Sequence, residues 1–184
     1  AIPTGKENHV TIVKNMLPQE REFMLYLPLY DGIDKLEIGI DPGAEIVASE
    51  LNSPDRENPI VMYGTSILQG ASASRPGMAA TNIIGRRFDR EVVNLGFSAN
   101  AFLDKEIAEL MSEVEASAYV LDFVPNASVS QIKELTIPFY RILRKKHRTT
   151  PIIFVEDPQF PSAVYNRVLA DEIREKNEAL QLVY

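Results

Sequence analysis

The sequence predicts an α/β sandwich built on a parallel sheet, preceded by a small β-rich module. Three observations predict it. Four short, nearly continuous apolar runs lie beyond residue 59, as strands buried on both faces of a parallel sheet require. Helical stretches separate them, and strand alternating with helix four times means right-handed βαβ units with helices on both faces. Ahead of these, short extended runs alternate with turn residues, and the pattern changes across a polar stretch at 51–59.

Taken in order, His9-Val10-Thr11-Ile12-Val13, Glu22 to Leu27 and Lys35 to Ile40 read as strands. Asp31-Gly32 and Asp41-Pro42-Gly43 read as turns between them. About 50 residues of strand and turn bury little core alone, so residues 1–51 are expected to pack as a partial module on the larger domain. Leu51 to Pro59 holds two prolines and no apolar period, and reads as a linker. From 59 to 184 the predicted strands are Ile60–Tyr63, Val92–Leu95, Tyr119–Phe123 and Ile152–Val155. The predicted helices are Met78–Phe88, Lys105–Val114 with Asp104 as N-cap, Ile132–Leu143 and Val164–Leu180. A fifth strand is expected to begin at Gln181-Leu182-Val183-Tyr184, which reads as a domain cut short.

Composition narrows the function classes. The 26 Asp and Glu exceed the 19 Lys and Arg, for a net charge of −7. With no basic stripe to displace counterions, neither nucleic acid nor an anionic membrane is an expected partner. The run Arg144-Lys145-Lys146-His147-Arg148 reads as a helix C-terminus, where cations complement the dipole. Cysteine is absent, which removes disulfides, thiolate metal sites and cysteine nucleophiles. Two distant histidines make no metal site, and no phosphate-loop or dinucleotide fingerprint occurs. No cofactor is implied. Ala1-Ile2-Pro3 lacks the charged and apolar regions of a signal peptide and reads as a mature or engineered N-terminus.

Open parallel sheets bind ligands where the carboxyl ends of the strands meet the loops. The first such loop reads Tyr63-Gly64-Thr65-Ser66-Ile67-Leu68-Gln69-Gly70. A serine there, near the backbone N–H groups of a helix start, suits an oxyanion-stabilised nucleophile; it equally suits an N-cap or turn serine. In the second loop Gly96 could bring a bare N–H to the same spot, or be an ordinary turn glycine. In the third, Asn126 carries an amide donor, or caps the helix beginning near Ser128. Ser72 and Ser74 lie deeper in a loop with no buried strand before them. Arg75 could meet a substrate acid or fix its loop by a salt bridge. Glu156-Asp157 could line a pocket or form an exposed acidic turn.

Taken together, Ser, Gly and Asn on three successive strand ends resemble the first three blocks of the SGNH hydrolases, the family of the Gly-Asp-Ser-Leu lipases and esterases. The subgroup whose first block has Thr in place of Asp is the nearer match. It is visible in Tyr63-Gly64-Thr65-Ser66-Ile67, Ala73-Ser74-Arg75-Pro76-Gly77-Met78, Asn94-Leu95-Gly96-Phe97-Ser98 and Leu121-Asp122-Phe123-Val124-Pro125-Asn126. That subgroup also carries a β-rich module in front, whose end Tyr30-Asp31-Gly32 and Lys35 to Gly39 resemble. The resemblance implies a flavodoxin-like three-layer sandwich and a serine esterase acting on carboxylic esters, with short acyl esters of carbohydrates as one substrate class. It implies Ser66 as nucleophile, and the Ser66 and Gly96 N–H groups with the Asn126 amide as oxyanion hole. The family's Asp-x-x-His block is missing. His9 precedes the sheet domain, and His147 precedes a strand, on the sheet's amino-end side. The catalytic base is therefore expected beyond Tyr184. The rival reading is a non-catalytic glycan-binding module or an inactive relative.

Overall fold

A computed structural model describes residues 7–49 and 58–184. Its centre is a four-stranded parallel sheet of β1 (Ile60–Gly64), β2 (Val92–Gly96), β3 (Ala118–Asp122) and β4 (Ile152–Phe154) in the order β2-β1-β3-β4. The central pair is apolar on both faces: Val61, Tyr63, Tyr119 and Leu121 are fully buried on one, and Met62 and Val120 are buried and half-buried on the other. Branched and aromatic side chains on successive residues fit a pleated surface covered from both sides. The register sets Gly64 level with Gly96 on one side and Asp122 on the other.

Crossover direction decides which helix covers which face. The chain moves one way from β1 to β2, through α1 (Ser66–Gln69) and α2 (Ala80–Phe88). It moves the other way from β2 to β3 and on to β4, through α3 (Lys105–Met111) and α4 (Val129–Lys146). Right-handed connections then put α1 and α2 on one face and α3 and α4 on the other, with α5 (Arg167–Val183) packed along α4. Three layers result, as the sequence predicts. The main core lies under α3, α4 and α5, where Ile132, Phe139 and Leu143 pack on Tyr63 and Leu121.

Helix ends differ from the expected bounds by up to three residues. Ser128 caps α4 in a capping box: its hydroxyl accepts from Gln131 N–H, and the Gln131 side chain accepts from Ser128 N–H at 2.9 Å. At the other end Arg144 donates to the carbonyls of His147, Arg148 and Thr150 at 2.8, 3.1 and 2.8 Å. The basic run thus closes a helix C-terminus. Asp104 stands at the N-cap of α3 but makes no capping bond through its side chain. Met78 and Val164 belong to single 3-10 turns, Pro76–Met78 and Pro161–Val164, rather than to the helices after them.

Two expectations fail. Gln181 to Val183 is no strand but the last turn of α5. Ile173 is buried, and Ala179, Leu180 and Val183 pack into the core, all at helical spacing, so the 3.6-residue period runs on without a break. The three strands expected between His9 and Ile40 are also absent; residues 7–49 form neither helix nor strand. Extended runs need a partner to build a ladder. These find none, and Val10, Ile12 and Phe23 stay exposed. The Asp41-Pro42-Gly43 turn does form, with Ala44 N–H on Asp41 O at 3.0 Å. The expected linker lies mostly outside the described residues.

Leu143, fully buried beneath the sheet, should cost about 3 kcal/mol when truncated to Ala, against about 1 kcal/mol for Ser128→Ala at the cap. Urea unfolding followed by circular dichroism checks both. Equal losses would show that α4 is held by its end rather than by its packed face.

Candidate functional site

The carboxyl end of β1 is one of the two tightest points among the described glycines. A Cβ on Gly64 would lie 2.5 Å from the Asp122 carbonyl oxygen and 2.8 Å from its Cβ. Only glycine lets β1 and β3 approach so closely while Asp122 keeps its side chain. Beyond the ladder, Thr65 N–H donates to Asp122 O at 3.1 Å and Phe97 N–H to Gly64 O at 2.7 Å. Both neighbouring strands therefore fix the turn into α1. Thr65, fully buried, is the N-cap of α1, and its hydroxyl accepts from Ile67 N–H at 3.3 Å. Ser66 is consequently the first helical residue and not the cap. Among the described residues no hydrogen bond uses its hydroxyl or its N–H.

Gly96 closes the other side. A Cβ there would sit 2.5 Å from Gln69 Cα, so its bareness is needed for α1 to lie against β2. Its N–H, the expected oxyanion donor, is engaged: it donates to Asn94 Oδ1 at 2.9 Å. Gln69 binds the surroundings together, accepting from Ser98 N–H at 3.0 Å and donating to Leu29 O at 3.1 Å. The N-terminal segment meets the site here. Tyr30 donates to Ser66 O at 3.4 Å, and Arg86 donates to Tyr26 Oη at 2.9 Å while lying over its ring.

Asn126 occupies the turn after β3 and does not cap α4, because Ser128 does. Its Oδ1 accepts from Ala101 N–H at 3.4 Å. Ala101 belongs to the loop after β2, so the outer loops meet over the end of β1, where Ser66 begins α1. Among the described residues the Asn126 Nδ2 has no partner. Tyr63 steadies this roof from below: its hydroxyl accepts from Leu103 N–H at 2.9 Å, and burial pushes its pKa up to about 12. The structure thus gathers Ser66, Gly96 and Asn126 at the ends of three adjacent strands.

Sequence reasoning missed the acidic floor of this site. Asp122, 7% exposed at the end of β3, has its pKa raised to about 7. Desolvation is the main cause, the charge of Asp157 adds to it, and a hydrogen bond from Thr65 opposes it. Asp157 is equally buried, not an exposed turn residue. Its pKa is also raised, by desolvation first, with Lys176 lowering and Glu172 raising it. Its backbone is clamped by Asn177 at 2.7 and 3.0 Å, yet its Oδ1 has no hydrogen-bond partner. Lys176 reaches back to Pro125 O at 3.1 Å. A cavity of about 580 Å³ opens beside Asp157, with Arg174 and Asn177 in its wall. The available signal is an acid ending the apolar run Tyr119-Val120-Leu121.

The remaining candidates stand elsewhere. His147 is buried at the C-cap of α4, its Nε2 bonded with Ser112 O at 2.8 Å and its ring against Tyr119. That is the amino end of the sheet, away from Ser66. His9 is exposed beside Glu7. Ser72, Ser74 and Arg75 lie in the loop between α1 and α2.

Residues 57–184 match the model of the GDSL-like lipase/acylhydrolase family, and residues 2–46 that of the N-terminus of SGNH-hydrolase-type esterases. Among solved structures, the chain is similar to a candidate GDSL-like lipase of Bacteroides ovatus, at 40% identity and TM-score 0.78. The match covers 85% of this chain and 45% of that one. A salicylyl-acyltransferase of a tetracycline biosynthetic pathway, SsfX3, matches at 20% identity and TM-score 0.54, over 71% of this chain and 39% of its own, and shows the fold alone. The chain therefore spans less than half of either. No curated protein matches it.

Asp122 makes stability fall as pH rises. Its folded pKa, about 7, lies above the unfolded value of 3.8, so the folded state binds the extra proton between them. The contribution is fully present below pH 3.8 and lost by about pH 7. Asp122→Asn should flatten the decline, seen as unfolding free energy against pH; an unchanged slope would move its origin to other carboxyls.

Proposed function

The chain belongs to the GDSL-like lipase/acylhydrolase family, and on that premise we propose that it carries the nucleophile and oxyanion site of a serine esterase. The observation that carries this reading is that Thr65 and Ser128 take the capping roles, leaving the Ser66 hydroxyl and the Asn126 Nδ2 without partners among the described residues. Ser66 Oγ attacks the carbonyl of a small-molecule carboxylic ester, its proton passing to a base. The tetrahedral oxyanion is met by the Ser66 N–H and Asn126 Nδ2, with Gly96 N–H shared between it and Asn94. Collapse expels the alcohol and leaves an acyl-enzyme, which water then hydrolyses to acid and free serine. The finer reading is a short acyl ester of a carbohydrate. The resemblance supports it, and the cavity beside Asp157 lies next to the strand ends rather than over Ser66.

One observation favours the rival reading of a glycan-binding module: among the described residues no hydrogen bond joins either histidine to Ser66, His147 being bonded to Ser112 O and His9 to Glu7. A serine without a base is a weak nucleophile. Added imidazole separates the two readings. Incubated with p-nitrophenyl acetate, the chain should acetylate Ser66 slowly, and faster with imidazole in the buffer, as read by mass spectrometry of the peptide. Asn126→Ala should lower that rate by roughly 10²-fold, the cost of one oxyanion donor. Acetyl on Ser72 or Ser74 with Ser66 unmodified would refute the assignment. No acylation, with sugar binding that survives Ser66→Ala, would establish the binding module.

A further inference from the structure

We infer that Tyr30, brought to the Ser66 site by the N-terminal segment, binds substrate there: its phenol O–H donates to an oxygen of the ester other than the reacting carbonyl. The inference rests on the reading of Ser66 as nucleophile. Among the described residues 7–49, only Tyr26 and Leu29 are not exposed, so the segment concentrates its burial beside Tyr30. This contact is built for close approach. A Cβ on Gly77 would lie 3.1 Å from Tyr26 Cδ2, and one on Gly70 would lie 2.6 Å from Leu29 Cδ1. Arg86 lies over the Tyr26 ring, 5.3 Å from its centroid, and donates to its hydroxyl. Leu29 O accepts from Gln69 Nε2, while Gln69 Oε1 accepts from Ser98 N–H, which ties the segment to the loop after β2. Tyr30 follows directly, against the first turn of α1.

Unlike its two anchors, Tyr30 is 50% exposed. Its hydroxyl donates to Ser66 O at 3.4 Å, long for an O–H···O bond. That carbonyl already accepts from Gly70 N–H at 3.0 Å and from Ala71 N–H at 2.9 Å. A carbonyl oxygen has two lone pairs, so the phenol is the surplus donor. Turning it toward a ligand oxygen leaves no backbone group unsatisfied, and the exchange is cheap. A residue held only for packing would be covered, as Tyr26 and Leu29 are, and would have no use for the hydroxyl. Helix direction then says which part of a substrate it meets. Along α1 the N–H groups point back toward Thr65 and the carbonyls point forward toward Gly70. The Ser66 N–H and the Tyr30 hydroxyl therefore flank the serine from opposite sides. Tyr30 stands outside the oxyanion hole and meets a more distant oxygen, on the alcohol or on the acyl chain. Such a site prefers esters carrying an acceptor oxygen over hydrocarbon esters of equal size.

Matched ester pairs test this. ortho-Methoxyphenyl acetate and ortho-ethylphenyl acetate have nearly the same shape, but only the first carries an acceptor on the alcohol. Phenyl methoxyacetate and phenyl butyrate form the corresponding pair for the acyl chain. Imidazole-assisted acylation of Ser66 is read by mass spectrometry of the peptide. Tyr30→Phe should slow the ether ester of at least one pair by about fivefold, as the loss of one neutral hydrogen bond allows, and leave both hydrocarbon esters unchanged. Rates unchanged for every ester would overturn the inference. So would an equal slowing of all of them, which would make Tyr30 a support of the turn alone. Amide ¹H–¹⁵N spectra of the Ser66→Ala chain, where the esters bind without reacting, give a second readout. An ether ester should shift Gly70 and Ala71, the N–H groups that share Ser66 O, and adding Tyr30→Phe should weaken that binding by a similar factor. Those shifts without any acylation of Ser66 in the unaltered chain would sink the nucleophile reading and leave Tyr30 as a binding residue. Acylation indifferent to Tyr30 would do the reverse, and neither shifts nor acylation would overturn both.

Discussion

Everything at the functional end of this fold depends on backbones approaching more closely than side chains allow. Gly64 lies against the main chain of Asp122, and Gly96 lies against the main chain of Gln69. The first approach makes Thr65 a continuation of the β1–β3 pairing, through its N–H on Asp122 O. The second sets α1 down on β2. Together they define where Ser66 begins its helix. A methyl group at either position must displace backbone, and backbone is the part of the structure that cannot yield locally.

Given that frame, the hydrogen-bond inventory decides which groups are left for chemistry. A helix start leaves several N–H groups unsatisfied, and nearby Ser, Thr or Asn side chains ordinarily absorb them. Here the residue before the serine does so in α1, and the residue two beyond the asparagine does so in α4. The Ser66 hydroxyl and the Asn126 Nδ2 are therefore relieved of capping, while Asn126 Oδ1 still accepts from Ala101 N–H. Gly96 is the contrasting case. Its N–H is already held by Asn94, and Asn94 is held in turn by donating its amide to Leu68 O and Thr81 Oγ1 at 3.2 and 3.0 Å. That donor is embedded in a network, so sharing it with an oxyanion is costlier than using the free amide of Asn126.

Legibility in the sequence depends on which signals are local. Parallel strands and covering helices are legible because burial on both faces writes continuous apolar runs, and amphipathic cover writes a 3.6-residue period. The place of Ser66, Gly96 and Asn126 on strand ends comes from topology alone. The strand expected at Gln181 to Tyr184 rests on four apolar-rich residues taken without continuing the period back to Ile173. The runs expected as strands in the N-terminal segment have the right composition but no ladder partner, and composition does not report a partner. Asp122 escapes a reading of the sequence because its meaning is entirely non-local: it depends on Gly64, Thr65 and Asp157, which are distant in sequence and adjacent only once the sheet is formed.

The acidic floor ties the stability of this fold to pH. Protonated, Asp122 is tolerated as a buried neutral group, and its contribution to stability is at its fullest. Ionised, it costs stability, because a carboxylate stripped of most of its water is held near the charge of Asp157. On the proposed reading, a serine base of ordinary imidazole character needs to be neutral, which happens above about pH 6.5. A site of this kind works on the alkaline side, where Asp122 is ionised and contributes least to stability.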